Sequence, residues 1–142
     1  FLWPQEEPME GVYVLTVFLG DTWRQLALPH TCALDTLADT ILDAFAFDRD
    51  HLYVFEVEDR FGSVQEIKHF YMDEPPYAHE TTIGEFGLQP GQHMRFRYDF
   101  GEDWRFEIVV DRIDPTDRRM RRPKQLKTHG EAPLQYDDPD DE

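Results

Sequence analysis

The stretch Met94-Arg95-Phe96-Arg97-Tyr98-Asp99-Phe100-Gly101-Glu102-Asp103-Trp104-Arg105-Phe106-Glu107-Ile108-Val109-Val110-Asp111 decides the fold. Met94, Phe96 and Tyr98 point one way, and Arg95, Arg97 and Asp99 the other. After a turn, Phe106, Ile108 and Val110 share a face, against Arg105, Glu107 and Asp111. Alternation of this length predicts a half-buried antiparallel hairpin. The loop must have an odd length for the two apolar faces to coincide, because a one-residue slip reverses every side chain. A three-residue loop, 100–102, sets Arg97 opposite Arg105. A five-residue loop, 100–104, sets Asp99 opposite Arg105 and Arg97 opposite Glu107. Opposite charges across a pair contribute roughly 0.2–1 kcal/mol and like charges cost as much, so the five-residue loop is expected. Gly101 is the residue there best able to take a positive φ.

Outward from the hairpin, the order of elements is α+β. Residues 12–19 are apolar on both faces and predict a central strand. Gly20-Asp21 turns the chain into a second strand, 22–28, which Pro29 stops. Leu34, Leu37, Ala38, Ile41, Leu42 and Phe45 recur at helical spacing and predict an amphipathic helix over 34–45, with its start at Thr31 or the Cys32-Ala33 junction. Asp35, Asp39 and Asp43 lie four apart on its outer face and read as a solvated row. A third strand follows at 51–57, and a weaker partner strand over 65–72, which Pro75-Pro76 ends. Residues 82–88 predict a short helical turn. The expectation is a mixed, mostly antiparallel sheet with one main amphipathic helix on one face, β-grasp-like, and a short extra helix. Residues 1–11 read as a flexible lead-in and 12–113 as a single α+β domain. From Asp114 the apolar period stops. Residues 114–142 read as a charged tail, partly docked through Leu126, Pro133 and Tyr136, or disordered.

The chain has 142 residues, enough for one domain with a real core, and is 40% hydrophobic and 14% aromatic, which is globular composition. No apolar run reaches the roughly 18–20 residues a membrane helix needs. No secretory leader is visible at the start of the sequence. Cys32 is the only cysteine, which excludes an internal disulfide and suits a reducing cytoplasm. Net charge is −16. The tail carries 6 basic and 8 acidic residues, leaving the body with 8 and 22. A body that acidic repels a phosphate backbone. It reads as an acidic soluble surface, with a mimic of DNA charge as the minority reading. The six histidines show no HxH, HxxxH or HExxH spacing, and no GxSxG, P-loop or GxGxxG is present, so no metal or cofactor is expected.

Three segments are similar to one family: Asp50-His51-Leu52-Tyr53-Val54-Phe55, Thr82-Ile83-Gly84-Glu85-Phe86-Gly87-Leu88, and Tyr98-Asp99-Phe100-Gly101-Glu102-Asp103-Trp104. Gly130-Glu131-Ala132-Pro133-Leu134-Gln135-Tyr136 resembles its C-terminal segment. The chain resembles, over about residues 12–136, the family named after the third open reading frame of the root-inducing plasmid. Its members are often labelled TnpR-like passengers of insertion elements. The resemblance implies an α+β domain of unassigned function, cytoplasmic, found in bacteria, archaea and mobile elements. A serine resolvase needs a nucleophilic serine with an arginine cluster, and the neighbourhoods Thr22/Arg24 and Thr116/Arg118 do not supply one. Many members carry His two residues after the hairpin tryptophan, where this chain has Phe106, and many have a Cys-rich end that this chain lacks.

The candidate chemistry gathers at the hairpin. His51, Asp99 and Asp103 are the candidate catalytic residues, a carboxylate–histidine set assembled from separate segments. The competing reading is structural, with the two aspartates satisfying turn amides and His51 opening a strand. Tyr98, Phe100, Glu102 and Trp104 are the candidate binding residues. Cys32 precedes a helix but has no partner base near in sequence. The expected function is a non-enzymatic protein-interaction or accessory module with a protein partner. The alternatives are a small hydrolase or nucleic-acid-processing enzyme, or an acidic DNA mimic.

Overall fold

Strand β1 (Val12–Leu19) is buried along most of its length because it lies inside the sheet with packing on both faces. Tyr13, Leu15 and Val17 enter the main core, while Val12 and Val14 form a second cluster with Ala27, covered by Met120. The turn at Gly20 leads to β2 (Thr22–Pro29), antiparallel to β1. The computed structural model describes residues 10–58, 62–117 and 119–136. Most of the expected lead-in, turn residues Arg60 and Phe61, Arg118 and the acidic end from 137 lie outside the described residues.

Helix α1 (Leu34–Ala44) buries Leu34, Leu37, Ala38, Ile41 and Leu42 against the sheet. No side chain caps its start. A neighbouring segment holds it instead. The Leu34 amide donates to the Thr81 carbonyl at 2.9 Å, and the Ile83 and Gly84 amides donate to the Cys32 and His30 carbonyls, each at 3.0 Å. At the other end buried Arg24 donates to the carbonyl of Ala44 (3.0 Å). A cation suits a helix C-terminus, where carbonyls lack partners. The outer aspartates are partly neutralised, since Arg49 reaches Asp39 at 3.6 Å and Asp43 at 2.5 Å.

Strands β3 (Tyr53–Glu58) and β4 (Val64–Lys68) follow, then 3-10 turns at Ala78–Glu80 and Ile83–Phe86. Strands β5 (His93–Tyr98) and β6 (Trp104–Asp114) form the organising hairpin. A seventh strand, β7 (Lys124–His129), pairs antiparallel with β2. The sheet runs β4-β3-β5-β6-β1-β2-β7, and all six pairings are antiparallel. Among the described residues, the parallel pairing is the isolated bridge Lys68 to Tyr77. Among the described residues this is an α+β architecture with a seven-stranded, mostly antiparallel sheet and one α-helix.

The apolar face of the hairpin agrees with the sequence: Met94, Phe96, Tyr98, Phe106, Ile108 and Val110 are all buried, whereas Asp99, expected on the polar face, is buried in the turn. The hairpin register does not agree. Arg97 pairs with Arg105 and Tyr98 with Trp104, the alignment that like-charge repulsion argued against. The connection is Asp99 to Asp103, and the residues with positive φ are those two aspartates (59° and 55°), not Gly101. Two interactions compensate. Arg95 now lies opposite Glu107 and bonds it at 2.6 Å, and Asp103 turns back to neutralise both facing arginines.

Candidate functional site

The tip of the β5–β6 hairpin is built on Asp99, which is 7% exposed. Its Oδ1 accepts from the amides of Gly101 (3.2 Å) and Glu102 (3.4 Å), its carbonyl from the Asp103 amide (2.5 Å), and its own amide donates to Leu52 O (2.9 Å). Aspartate tolerates the left-handed region because its short carboxylate can bond the local backbone in this way. Asp103 faces the other side of the sheet. Its Oδ1 is 3.2 Å from both Nε and a terminal nitrogen of Arg97, and its Oδ2 is 2.9 and 2.8 Å from the same atoms of Arg105. The Arg105 hydrogen bond, followed by that of Arg97, holds the Asp103 carboxyl below its ordinary range.

Of the candidates, His51 and Asp99 come together and Asp103 stays apart. His51 Nε2 lies 3.4 Å from Asp99 Oδ2, 3.4 Å from Asp50 Oδ1 and 3.1 Å from the Tyr136 hydroxyl. Tyr136 in turn donates to Asp50 Oδ2 at 2.5 Å. With the proton on Nε2, the chain runs His51 to Tyr136 to Asp50. That bond from Tyr136 is the main cause of the lowered Asp50 carboxyl pKa, and bonding to Asp50 drives the Tyr136 hydroxyl well up. Beneath them the buried Tyr98 hydroxyl accepts from the amides of Asp50 (2.8 Å) and His51 (3.1 Å) and donates to the Asp48 carbonyl. Gln135 closes the set: its Oε1 accepts from the Asp48 amide (2.5 Å), and its Nε2 lies 3.3 Å from Asp48 O.

The binding candidates divide. Tyr98 is 1% exposed and stacks on Phe96, and Trp104 packs edge-on against Phe47, its buried Nε1 having no acceptor. Phe100 is 41% exposed beside the Arg97 guanidinium, and Glu102 lies on the exposed turn. Phe106 is enclosed by Phe45, Phe47 and Phe96. Sequence reasoning did not single out Asp48, Asp50, Gln135 and Tyr136 as site residues. Their signal was the joint presence of the Asp50–His51 and Gln135–Tyr136 segments, which the fold brings into contact across 85 positions or more.

An open cleft of about 290 Å³ beside this cluster is lined by Arg49, Asp50, His51, Leu52, His69 and Tyr71. Cys32 is distant in function as well as sequence, because burial pushes its thiol up to about 12, which keeps it protonated and unreactive. Among the described residues, no three His, Cys, Asp or Glu side chains converge to hold a metal ion. Among the described residues, the His51 ring has Tyr136, Asp50 and Asp99 as its hydrogen-bond and charge partners. Among the described residues, no helix is long and apolar enough to cross a membrane.

Fold and site together define an antiparallel α+β architecture in which Gln135 and Tyr136 fold back onto the connection between α1 and β3. The chain belongs to the plasmid pRiA4b ORF-3-like protein family, whose profile matches residues 13–137. It is also similar to a crystal structure titled as a protein of unknown function, MM3350 from Methanosarcina mazei Go1. That likeness has a TM-score of 0.71 at 19% identity and covers 87% of this chain and 72% of that one. At this identity it bears on the fold alone. Among curated proteins none matches the chain.

Proposed function

We propose that this chain is a non-enzymatic protein-interaction or accessory module, in which the hairpin tip is scaffold. One observation carries the reading: Asp103 gives both of its carboxylate oxygens to two arginines, and Asp99 gives Oδ1 to turn amides. Asp103, with both oxygens bonded this way, is a poor general base, because proton uptake costs it those bonds. The layout, one helix lying across one sheet face, is β-grasp-like in our reading, and the buried, protonated Cys32 fits a cytoplasmic setting.

One observation favours a second reading, a small hydrolase or nucleic-acid-processing enzyme: His51 Nε2 sits within 3.4 Å of two carboxylates at the rim of an open cleft. The experiment that separates them is turnover on generic ester, phosphodiester and peptide substrates, together with cross-linking of the tagged chain in its host. The expected result is no turnover and reproducible cross-links to protein. Turnover abolished by His51→Ala would overturn the proposal.

A further inference from the structure

Six of the 14 basic residues and none of the 30 acidic ones lie in residues 118–129. That run carries +6 and the remainder −22. Such a strip would be expected to fold back on the acidic body. Yet none of Arg119, Arg121, Arg122, Lys124 and Lys127 makes an ion pair with another described residue. Part of the strip is β7, the last strand of the sheet. All six of its residues are exposed, so it is no core element. It is held by pairing with β2 and by Arg24, which donates to the carbonyls of His129 (3.1 Å) and Gly130 (3.2 Å). Its other edge meets no strand among the described residues. Lys124, Lys127 and His129 lie opposite Ala27, Gln25 and Trp23, which places all three on one face.

We propose that the open edge of β7 is a docking site for an extended acidic peptide segment of a partner protein, added as a further strand with its carboxylates against Lys124 and Lys127. This rests on reading the chain as an interaction module. The backbone edge supplies amides and carbonyls that match a peptide backbone and not a phosphodiester. The lysines select the sign of the partner, and acidic side chains at every second position meet them on one face. A polyphosphate long enough to leave the strip meets the −22 remainder. A second copy pairing edge to edge sets +6 against +6.

Fluorescence anisotropy tests this on the full chain. The probe is a labelled peptide of about eight residues alternating glutamate and valine. Comparison probes are its lysine–valine counterpart, the same acidic peptide N-methylated at alternate residues, and oligothymidylate. The acidic peptide should bind, and the lysine counterpart should not. Backbone N-methylation, or the double substitution Lys124→Glu/Lys127→Glu, should weaken binding by about tenfold or more. Both lysines are exposed, and an unchanged melting temperature confirms that the variant folds. Absence of binding, equal binding of the N-methylated peptide, no loss in the variant, tighter binding of oligothymidylate, or self-association that the peptide cannot displace would each overturn it. These readouts are independent of turnover, so peptide binding can fail while the module reading stands, and turnover lost in His51→Ala defeats that reading whatever the peptide does.

Discussion

Arg97 and Arg105 face each other directly across the β5–β6 hairpin, and the Asp103 carboxylate lies between their guanidiniums. The turn therefore supplies the counter-ion that the strands lack. Asp103→Asn keeps a residue suited to positive φ but removes that charge. It should lower the thermal midpoint, and more at low salt than at high. Adding Arg97→Ala should recover part of the loss, because the repelling pair is then gone. A double-mutant cycle followed by thermal unfolding checks this.

The same bonds fix a pH dependence. The folded carboxyl groups of Asp103, Asp50 and Asp114 are held low chiefly by hydrogen bonds from Arg105, Tyr136 and Thr116 respectively. A group lowered on folding contributes stability that is complete above its unfolded value, about 3.9 for aspartate, and is lost as pH falls through the folded value. Stability should therefore drop on acidification below about pH 4. The drop should be shallower in Asp103→Asn, as measured by urea unfolding against pH.

Arg24 is 8% exposed and donates to four backbone carbonyls, those of Trp23, Ala44, His129 and Gly130. It ties the end of α1 to the end of β7. Arg24→Met should cost about 2–4 kcal/mol in chemical denaturation, since charge-assisted bonds contribute more than neutral ones. Arg24→Lys should not restore it, because an ammonium cannot reproduce the planar fork.

Tyr98→Phe removes the hydroxyl that serves the Asp50 and His51 amides. The expected cost is about 1 kcal/mol, the contribution of hydrogen bonds to part-buried amides. Exchange of those two amides with solvent deuterium should speed up, while the hairpin amides remain protected.

Gly11 has a φ of +119°, and a Cβ there would lie 2.1 Å from the Asp114 carbonyl oxygen. Gly11→Ala must move the backbone at the β1–β6 junction. It should cost about 3 kcal/mol or more, clash and strain together, or prevent folding, as judged by circular dichroism and denaturant midpoint.

The parts of the fold that bury apolar side chains at a regular period were readable. The bounds of β1 coincide with the expected 12–19, and α1 ends one residue before the expected 45. The hairpin register was not, because pairwise charge counting omits a third residue, Asp103, reaching back from the turn. Strand β7 gave no signal, since all its side chains are exposed and its register rests on backbone pairing. At the site, the motifs supplied His51, Asp99 and Asp103 as candidates, of which the fold brings His51 and Asp99 to 3.4 Å and turns Asp103 to the arginines. The roles of Asp48, Asp50, Gln135 and Tyr136 depend on a chain reversal that no local pattern encodes.

The most direct test of the scaffold account is thermal unfolding of the wild type and Asp103→Asn, with divalent cations and with EDTA. The account predicts a midpoint that neither treatment moves and a lower midpoint in the variant under both. Stabilisation by a divalent cation that disappears in Asp103→Asn would contradict it and make the hairpin tip a metal-dependent site.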